Sequence, residues 1–207
     1  MIIFRPLSLE DMEQIRLWRN EALETLRTPF MLTAEQQQDY YRTVICDRHS
    51  TTRYWGFWNE VTKETDNHCS LRQIDTEKEI EENARELINV WIAERGKIKL
   101  IGYGGLENIQ WENRLAEISI LIAPEYRGKG YGAEAVAGIL GRGFGQLNLY
   151  GIWGECYTCS NAVRFWERQI AKHGGSSCTL PGHRKYWGGA YWPSLYFYFQ
   201  REECIYA

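Results

Sequence analysis

Residues 124–132 read P-E-Y-R-G-K-G-Y-G, with Gly128, Gly130 and Gly132 in alternate positions. An apolar run, I-S-I-L-I-A, precedes them, and an alanine-rich one, A-E-A-V-A-G-I-L, follows. A strand that turns into a helix through glycines is the tightest constraint in this chain. Glycine lets backbone N–H groups approach a ligand with no Cβ in the way. The helix N-terminus adds unpaired N–H donors and the positive end of a dipole. Together they predict an anion site suited to a pyrophosphate, with Arg127 and Lys129 adding charge at its rim. The alternative is a glycine-rich helix entrance with solvated charges. A Walker loop is excluded, because no Lys-Ser/Thr pair follows the glycines. A dinucleotide fingerprint is excluded too, because G-x-G-x-G differs from G-x-G-x-x-G and follows a run of strands rather than a first strand.

The elements around this loop follow from periodicity and caps. Ile2 to Arg5 reads as a strand. Ser8 caps a helix in which Leu9, Met12, Ile15 and Trp18 share a face. Thr33 to Gln36 is a capping box that opens a second helix through about Cys46. Arg53 to Trp58 is an aromatic strand. Residues of about 59–86 read as an insertion, polar and then acidic, its acidic run a solvated helix face. Asn89 to Glu94 and Ile98 to Ile109 are expected as a hairpin. Trp111 to Arg114 turns into a strand from Ala116 to Ala123, with Ile118, Ile120 and Ile122 on one face. A helix is expected from Tyr131 to Phe144, a strand from Leu147 to Cys156, and a helix capped by Ser160 or Asn161 that ends at Gly174-Gly175. Aromatic strands around Tyr186-Trp187 and Leu195 to Phe199 close the chain.

At 207 residues the chain suits one domain, 1–207, carrying that insertion. Nine Trp and thirteen Tyr point to a large core or an aromatic-lined pocket. A net charge of -3 argues against a nucleic-acid surface. The first residues lack a long apolar segment, so no signal peptide is expected, and no run approaches membrane-spanning length. Six scattered Cys fit reduced thiols and a cytoplasmic setting. Cys156, Cys159, Cys178 and His183 lack zinc-ligand spacing, so no metal is expected.

Arg127-x-x-Gly130-x-Gly132 matches the R/Q-x-x-G-x-G/A signature of the GNAT superfamily of acyl-CoA N-acyltransferases. The preceding A-E-I-S-I-L-I-A-P-E-Y looks like the strand that this family places before its loop, and the order of elements fits from Ile2 to the last strand. R-L-W-R-N at Arg16 to Asn20 and N-A-V-R-F-W-E at Asn161 to Glu167 resemble the branch of ribosomal-protein N-terminal and nucleotide-aminosugar acetyltransferases. The resemblance implies an α+β GNAT fold: a mixed, mostly antiparallel central sheet, splayed at the acyl-CoA site and flanked by helices. It implies acetyl-CoA as co-substrate, its pyrophosphate on the amides of Arg127, Gly128, Lys129, Gly130, Tyr131 and Gly132. The pantetheine arm would pair with backbone at Leu121, Ile122 and Ala123, and Asn161 and Phe165 would flank it.

Acetyl transfer to an amine needs a neutral nucleophile, a stabilised oxyanion and a protonated leaving thiolate. A backbone N–H near Leu121 is placed for the oxyanion. Glu117 is the candidate base, since many relatives carry a carboxylate here that acts through a water; the alternative is a Glu paired with Arg114 or another surface charge. Relatives often use a Tyr on the later helix as the acid, but the matching position here is Trp166, whose indole only donates. Tyr157 and Tyr191 are the substitutes, each weighed against a packed aromatic. Arg19 and Asn20 are candidates for the acceptor wall. A small-molecule amine, an aminosugar or a protein N-terminus all suit as acceptor. Many family members form a homodimer, although no residue here specifies the contact. The competing reading is a catalytically inactive GNAT-fold binding or regulatory module, supported by Trp166 and opposed by the intact glycine loop.

Overall fold

A computed structural model describes residues 1–28, 30–60, 98–202 and 204. The first helix, α1 (Leu9–Glu21), begins where Ser8 Oγ accepts the Asp11 N–H and the Asp11 carboxylate accepts the Ser8 N–H at 2.7 Å. Met12, Ile15 and Trp18 are its buried stripe, as the periodicity predicts, whereas Leu9 at the first helical position is exposed. A second reciprocal box, Thr33 with Gln36, opens α2 (Ala34–Tyr40), which ends in a wider π-helical turn, Tyr41–Ile45. Asn20 ties the two together: its Nδ2 donates to the Leu32 carbonyl at 3.0 Å, and the Leu32 N–H returns to its Oδ1 at 2.8 Å.

The described strands are β1 (Ile2–Arg5), β2 (Arg53–Glu60), β3 (Ile98–Gln110), β4 (Leu115–Ile122), β5 (Gly151–Tyr157), β6 (Ser176–Trp187) and β7 (Ala190–Gln200). They form one sheet in the order β1-β2-β3-β4-β5-β7-β6. Every neighbouring pair is antiparallel except β4 and β5. That parallel pair needs a crossover, and α3 (Tyr131–Gly141) supplies it. The helix α4 (Val163–His173) then links β5 to the closing hairpin.

Several boundaries differ from expectation. The strand after α3 starts at Gly151 rather than Leu147, because a π-helical turn at Arg142–Gln146 prolongs the helix. β6 begins at Ser176, ten residues before Tyr186, since it pairs along most of β7 despite a largely exposed sequence. β2 runs through Asn59 and Glu60, and it is the antiparallel neighbour of β3 from Ile98 to Leu106. The expected strand at Asn89 to Glu94 and the rest of the expected insertion lie outside the described residues.

The sheet separates two apolar layers. On one side α3 and α4 pack Ala135, Val136, Ile139, Trp166 and Ile170 against Ile118, Ile152, Phe197 and Phe199. On the other, Met12, Ile15 and Trp18 of α1 pack against Tyr103 and Leu121. Successive β4 side chains alternate between these layers, as strand geometry requires. Phe197 is buried, with Trp166 stacked on it at 4.4 Å between ring centroids and Phe199 at 5.8 Å. Phe197→Ala is therefore expected to lower the unfolding free energy by about 3–5 kcal/mol in urea denaturation. A loss below about 1 kcal/mol would contradict this placement.

Candidate active site

β4 and β5 share three register pairs, Leu115 with Gly151, Ala116 with Ile152 and Glu117 with Trp153. Beyond Glu117 they part. The Ala123 N–H is given to the Ile101 carbonyl on β3 at 2.9 Å. Antiparallel alternation turns the Leu121 backbone the same way. Ile118, Ile120 and Ile122 therefore present their backbone to the gap, and the Ile122 carbonyl accepts Arg127 Nε there at 3.0 Å. Of the three residues expected to pair with a pantetheine arm, Ile122 has the right orientation. Leu121 and Ala123 turn their backbone to β3, so the N–H groups facing the gap belong to the even-numbered residues and not to Leu121. A cleft of about 860 Å³ fills the gap.

One end of the cleft is the glycine loop. Gly128 and Gly130 adopt φ of 75° and 89°, and a Cβ on either would meet nothing within 4 Å. Glycine is needed there for the left-handed backbone, not for packing. Gly130 is also the N-cap of α3, and no side chain caps that helix. Its first N–H groups thus remain for a ligand. At Gly132 a Cβ would meet the Phe165 ring at 3.1 Å, so bare backbone brings α3 against α4. Arg127, Gly128, Gly130, Gly132, Asn161 and Phe165 all line the cleft. Lys129 and Tyr131 do not: Lys129 Nζ lies 5.3 Å from the Tyr126 ring centre, and the Tyr131 hydroxyl accepts Asn59 Nδ2 at 2.9 Å. An uncapped helix N-terminus, open glycines and an unpaired strand edge fit the pyrophosphate and amide-bearing arm of an acyl-CoA.

The other end is polar. Glu117 is only 4% exposed and lies on the α1 side of β4. Arg27, from the segment after α1, grips its carboxylate with both Nη atoms, Nη1 to Oε2 at 2.9 Å. Asn108 Nδ2 adds a bond to Oε2 at 3.0 Å, reaching it from a bulge in β3 where φ is 52°. Burial pushes the Glu117 carboxyl up, Arg27 and Asn108 pull it down, Glu107 pushes it up, and the balance lies above the ordinary value. The Arg114 pairing considered from sequence does not occur, since Arg114 lies over the Tyr150 ring. Glu107 sits directly opposite Glu117 in the β3–β4 register and accepts the Tyr54 hydroxyl at 2.7 Å. Among the described residues no cation pairs with it.

Tyr157 lines the cleft and is raised by burial and by Glu155, against Arg27. Tyr191 lies elsewhere, exposed on β7. Trp166 borders the cleft as a core aromatic, stacked on Phe197. Arg19 lines the polar end of the cleft, with Nη1 donating to the Tyr103 hydroxyl at 3.0 Å. Asn20 does not line it, because its side chain is spent on Leu32. Of the R-L-W-R-N stretch, Trp18 is core, Leu17 is exposed, and Arg16 bonds Glu13 and the Leu32 carbonyl.

Sequence reading missed Arg27, Glu107, Asn108, Glu155 and Lys185. Lys185 of β6 is buried and bonds the carbonyls of Leu23, at 2.6 Å, and Leu26. It anchors the segment that carries Arg27. Bonds to a charged group contribute about 1.5–3 kcal/mol, so losing them should expose that segment about tenfold or more. Lys185→Met is expected to speed trypsin cleavage after Arg27 accordingly. Cleavage at the parental rate would show that the anchor is dispensable.

The residues 1–164 match the family model described as an acetyltransferase (GNAT) domain. No curated protein matches the chain. Among solved structures, spermidine N-acetyltransferase from Vibrio cholerae in complex with CoA and spermine matches with a TM-score of 0.68. It is 20% identical, over 98% of this chain and 96% of its own. A chimera of that enzyme with hSSAT matches at a TM-score of 0.67 and 21% identity, over 97% of this chain and 96% of that one. A dodecameric structure of the Vibrio cholerae enzyme matches at 0.65 and 20%, over 97% and 94%. At these identities the neighbours speak for the fold alone, and the seven-stranded sheet with its single parallel pair agrees with them. The glycine loop, the forked sheet and the match to the domain model lead to one conclusion: the chain belongs to the GNAT family of acetyltransferases, which draw the acetyl group from acetyl-CoA.

Proposed function

We propose that this protein is an N-acetyltransferase that acts on the primary amine of a small cationic acceptor by direct attack in a ternary complex. One observation carries the reading. The gap-facing edge of β4 runs from the glycine loop to Glu117, so one cleft joins an acyl-CoA cradle to a buried carboxylate. Bound acetyl-CoA supplies a thioester whose carbonyl carbon a neutral amine attacks, forming the C–N bond and releasing the thiolate with the C–S electron pair. Glu117 accepts the amine proton through a water, and burial makes it a better base than an ordinary carboxylate. Tyr157 stays protonated at neutral pH and is the group we assign to protonate the thiolate. The N–H groups of Ile120 and Ile122, facing the gap, suit negative charge on a carbonyl oxygen held there.

Charge favours a cationic acceptor. At the α1 end of the cleft Glu24, Glu107, Glu117 and Glu155 face Arg19 and Arg27. Glu107, with no cation of its own among the described residues, is the docking point for a second ammonium group. The spermine bound by the Vibrio cholerae neighbour is consistent with this class, and that neighbour's dodecamer supports self-association here. An aminosugar or a protein N-terminus would leave Glu107 without a counter-ion.

Glu117→Gln is expected to lower kcat about 10²–10⁴-fold while leaving acetyl-CoA affinity unchanged. Glu107→Gln should raise KM for a diamine about tenfold and leave KM for a monoamine alone. A thiol-release assay across diamines, aminosugars and a short peptide checks both. Turnover of the peptide in preference to the diamines would overturn the acceptor class, and a parental rate in Glu117→Gln would overturn the base.

A further inference from the structure

Arg27 stands where the sheet divides. Glu117 is the last β4 residue in register with β5, and Glu155 lies two residues beyond its partner Trp153 on the same β5 face. One guanidinium reaches both: its Nη atoms bond the Glu117 carboxylate, and Nη2 lies 3.6 Å from Glu155 Oε2. The Trp153 ring centre is 5.7 Å away. Glu155 is fixed in turn, accepting Arg184 Nε at 2.8 Å and Ser194 Oγ at 2.6 Å on Oε1. Arg184 and its neighbour Lys185 thus hold both ends of the arrangement from β6, one through Glu155 and the other through the segment that bears Arg27.

We propose that Arg27 is a positioning residue for acetyl transfer, clasping Glu117 and Glu155 across the fork so that the Glu117 carboxylate stays charged and fixed beside the gap. The proposal rests on Glu117 acting as the base. Glu107 and Asn108 face that carboxylate from β3 and Tyr196 from β7, while Glu155 and Tyr157 of β5 share Arg27 with it. Arg184 acts on it only through Glu155, and Arg19 is turned to Tyr103. Arg27 is the cation bonded to it. Without Arg27, burial and the neighbouring Glu107 would both favour the protonated form, which cannot take a proton from the amine.

The test is the pH dependence of kcat/KM with one primary amine for the parent, Arg27→Gln, Arg27→Lys and Glu117→Gln. Acetyl-CoA affinity, read by calorimetry, serves as the check of folding. In Arg27→Gln the acid limb is expected to move up by about one pH unit or more, with parental acetyl-CoA affinity. Arg27→Lys keeps the charge but loses the two-pronged grip, and its limb should fall between the two. If Arg27→Gln no longer binds acetyl-CoA, the limb of Arg27→Lys decides, and a parental position there refutes the clasp. A parental limb in Arg27→Gln, with Glu117→Gln inactive, overturns the clasp and leaves the base in place. A parental rate in Glu117→Gln overturns the base, and the clasp with it.

Discussion

The parting of β4 from β5 governs the rest of this molecule. A strand edge carries alternate N–H and C=O groups that need partners, and buried ones left without them cost free energy. Here β5 satisfies β4 only as far as Glu117. The backbone of Ile118, Ile120 and Ile122 then faces a cleft of about 860 Å³. An extended ligand with its own amides can complete that edge as an added strand. Because only a short 3-10 turn, Pro124–Tyr126, separates that strand from the glycine turn, the edge and the anion cradle lie along one cleft. The left-handed glycines and the uncapped helix thus complete what the fork begins.

The fork also shapes the electrostatics. Carboxylates placed where the sheet opens are half-dry, and a buried charge is tolerated only when paired and bonded. Glu155 meets that condition through Arg184 and Ser194, which pull its carboxyl below the ordinary value against the push of burial. Glu117 meets it through Arg27 and Asn108 but still ends above it, because burial and Glu107 outweigh them. Two carboxylates on neighbouring strands, Glu155 lying two residues beyond the register partner of Glu117, are thereby driven in opposite directions. On the mechanism proposed above, that divergence separates the anchor, Glu155, from the base, Glu117.

Much of this was legible in the sequence, and the rest was hidden for physical reasons. The glycine spacing, the two capping boxes and the alternation of Ile118, Ile120 and Ile122 are local patterns, and all three appear in the fold. Asn108 was within reach too, and Glu107 was not. Counting outward from the turn at Trp111 to Arg114 sets Asn108 opposite Glu117, and the register shift between Glu107 and Gln110 then brings Glu107 there. Arg27 carried no such signal, since it lies in a segment without periodicity and meets Glu117 across 90 residues. Lys185 meets Leu23 across 162. Trp166, at the position where the resemblance implies an acid, makes with Phe165 and Phe197 the contacts of a core residue.

The most direct measurement is a calorimetric titration of the protein with acetyl-CoA, beside a variant in which Gly128 and Gly130 are both valine. Two side chains forced into left-handed backbone, each projecting a Cβ into the open space of the cradle, should abolish binding. One micromolar site is expected in the parent and none in a variant that still melts cooperatively. No heat from the parent, or equal affinity in the two proteins, would contradict that expectation.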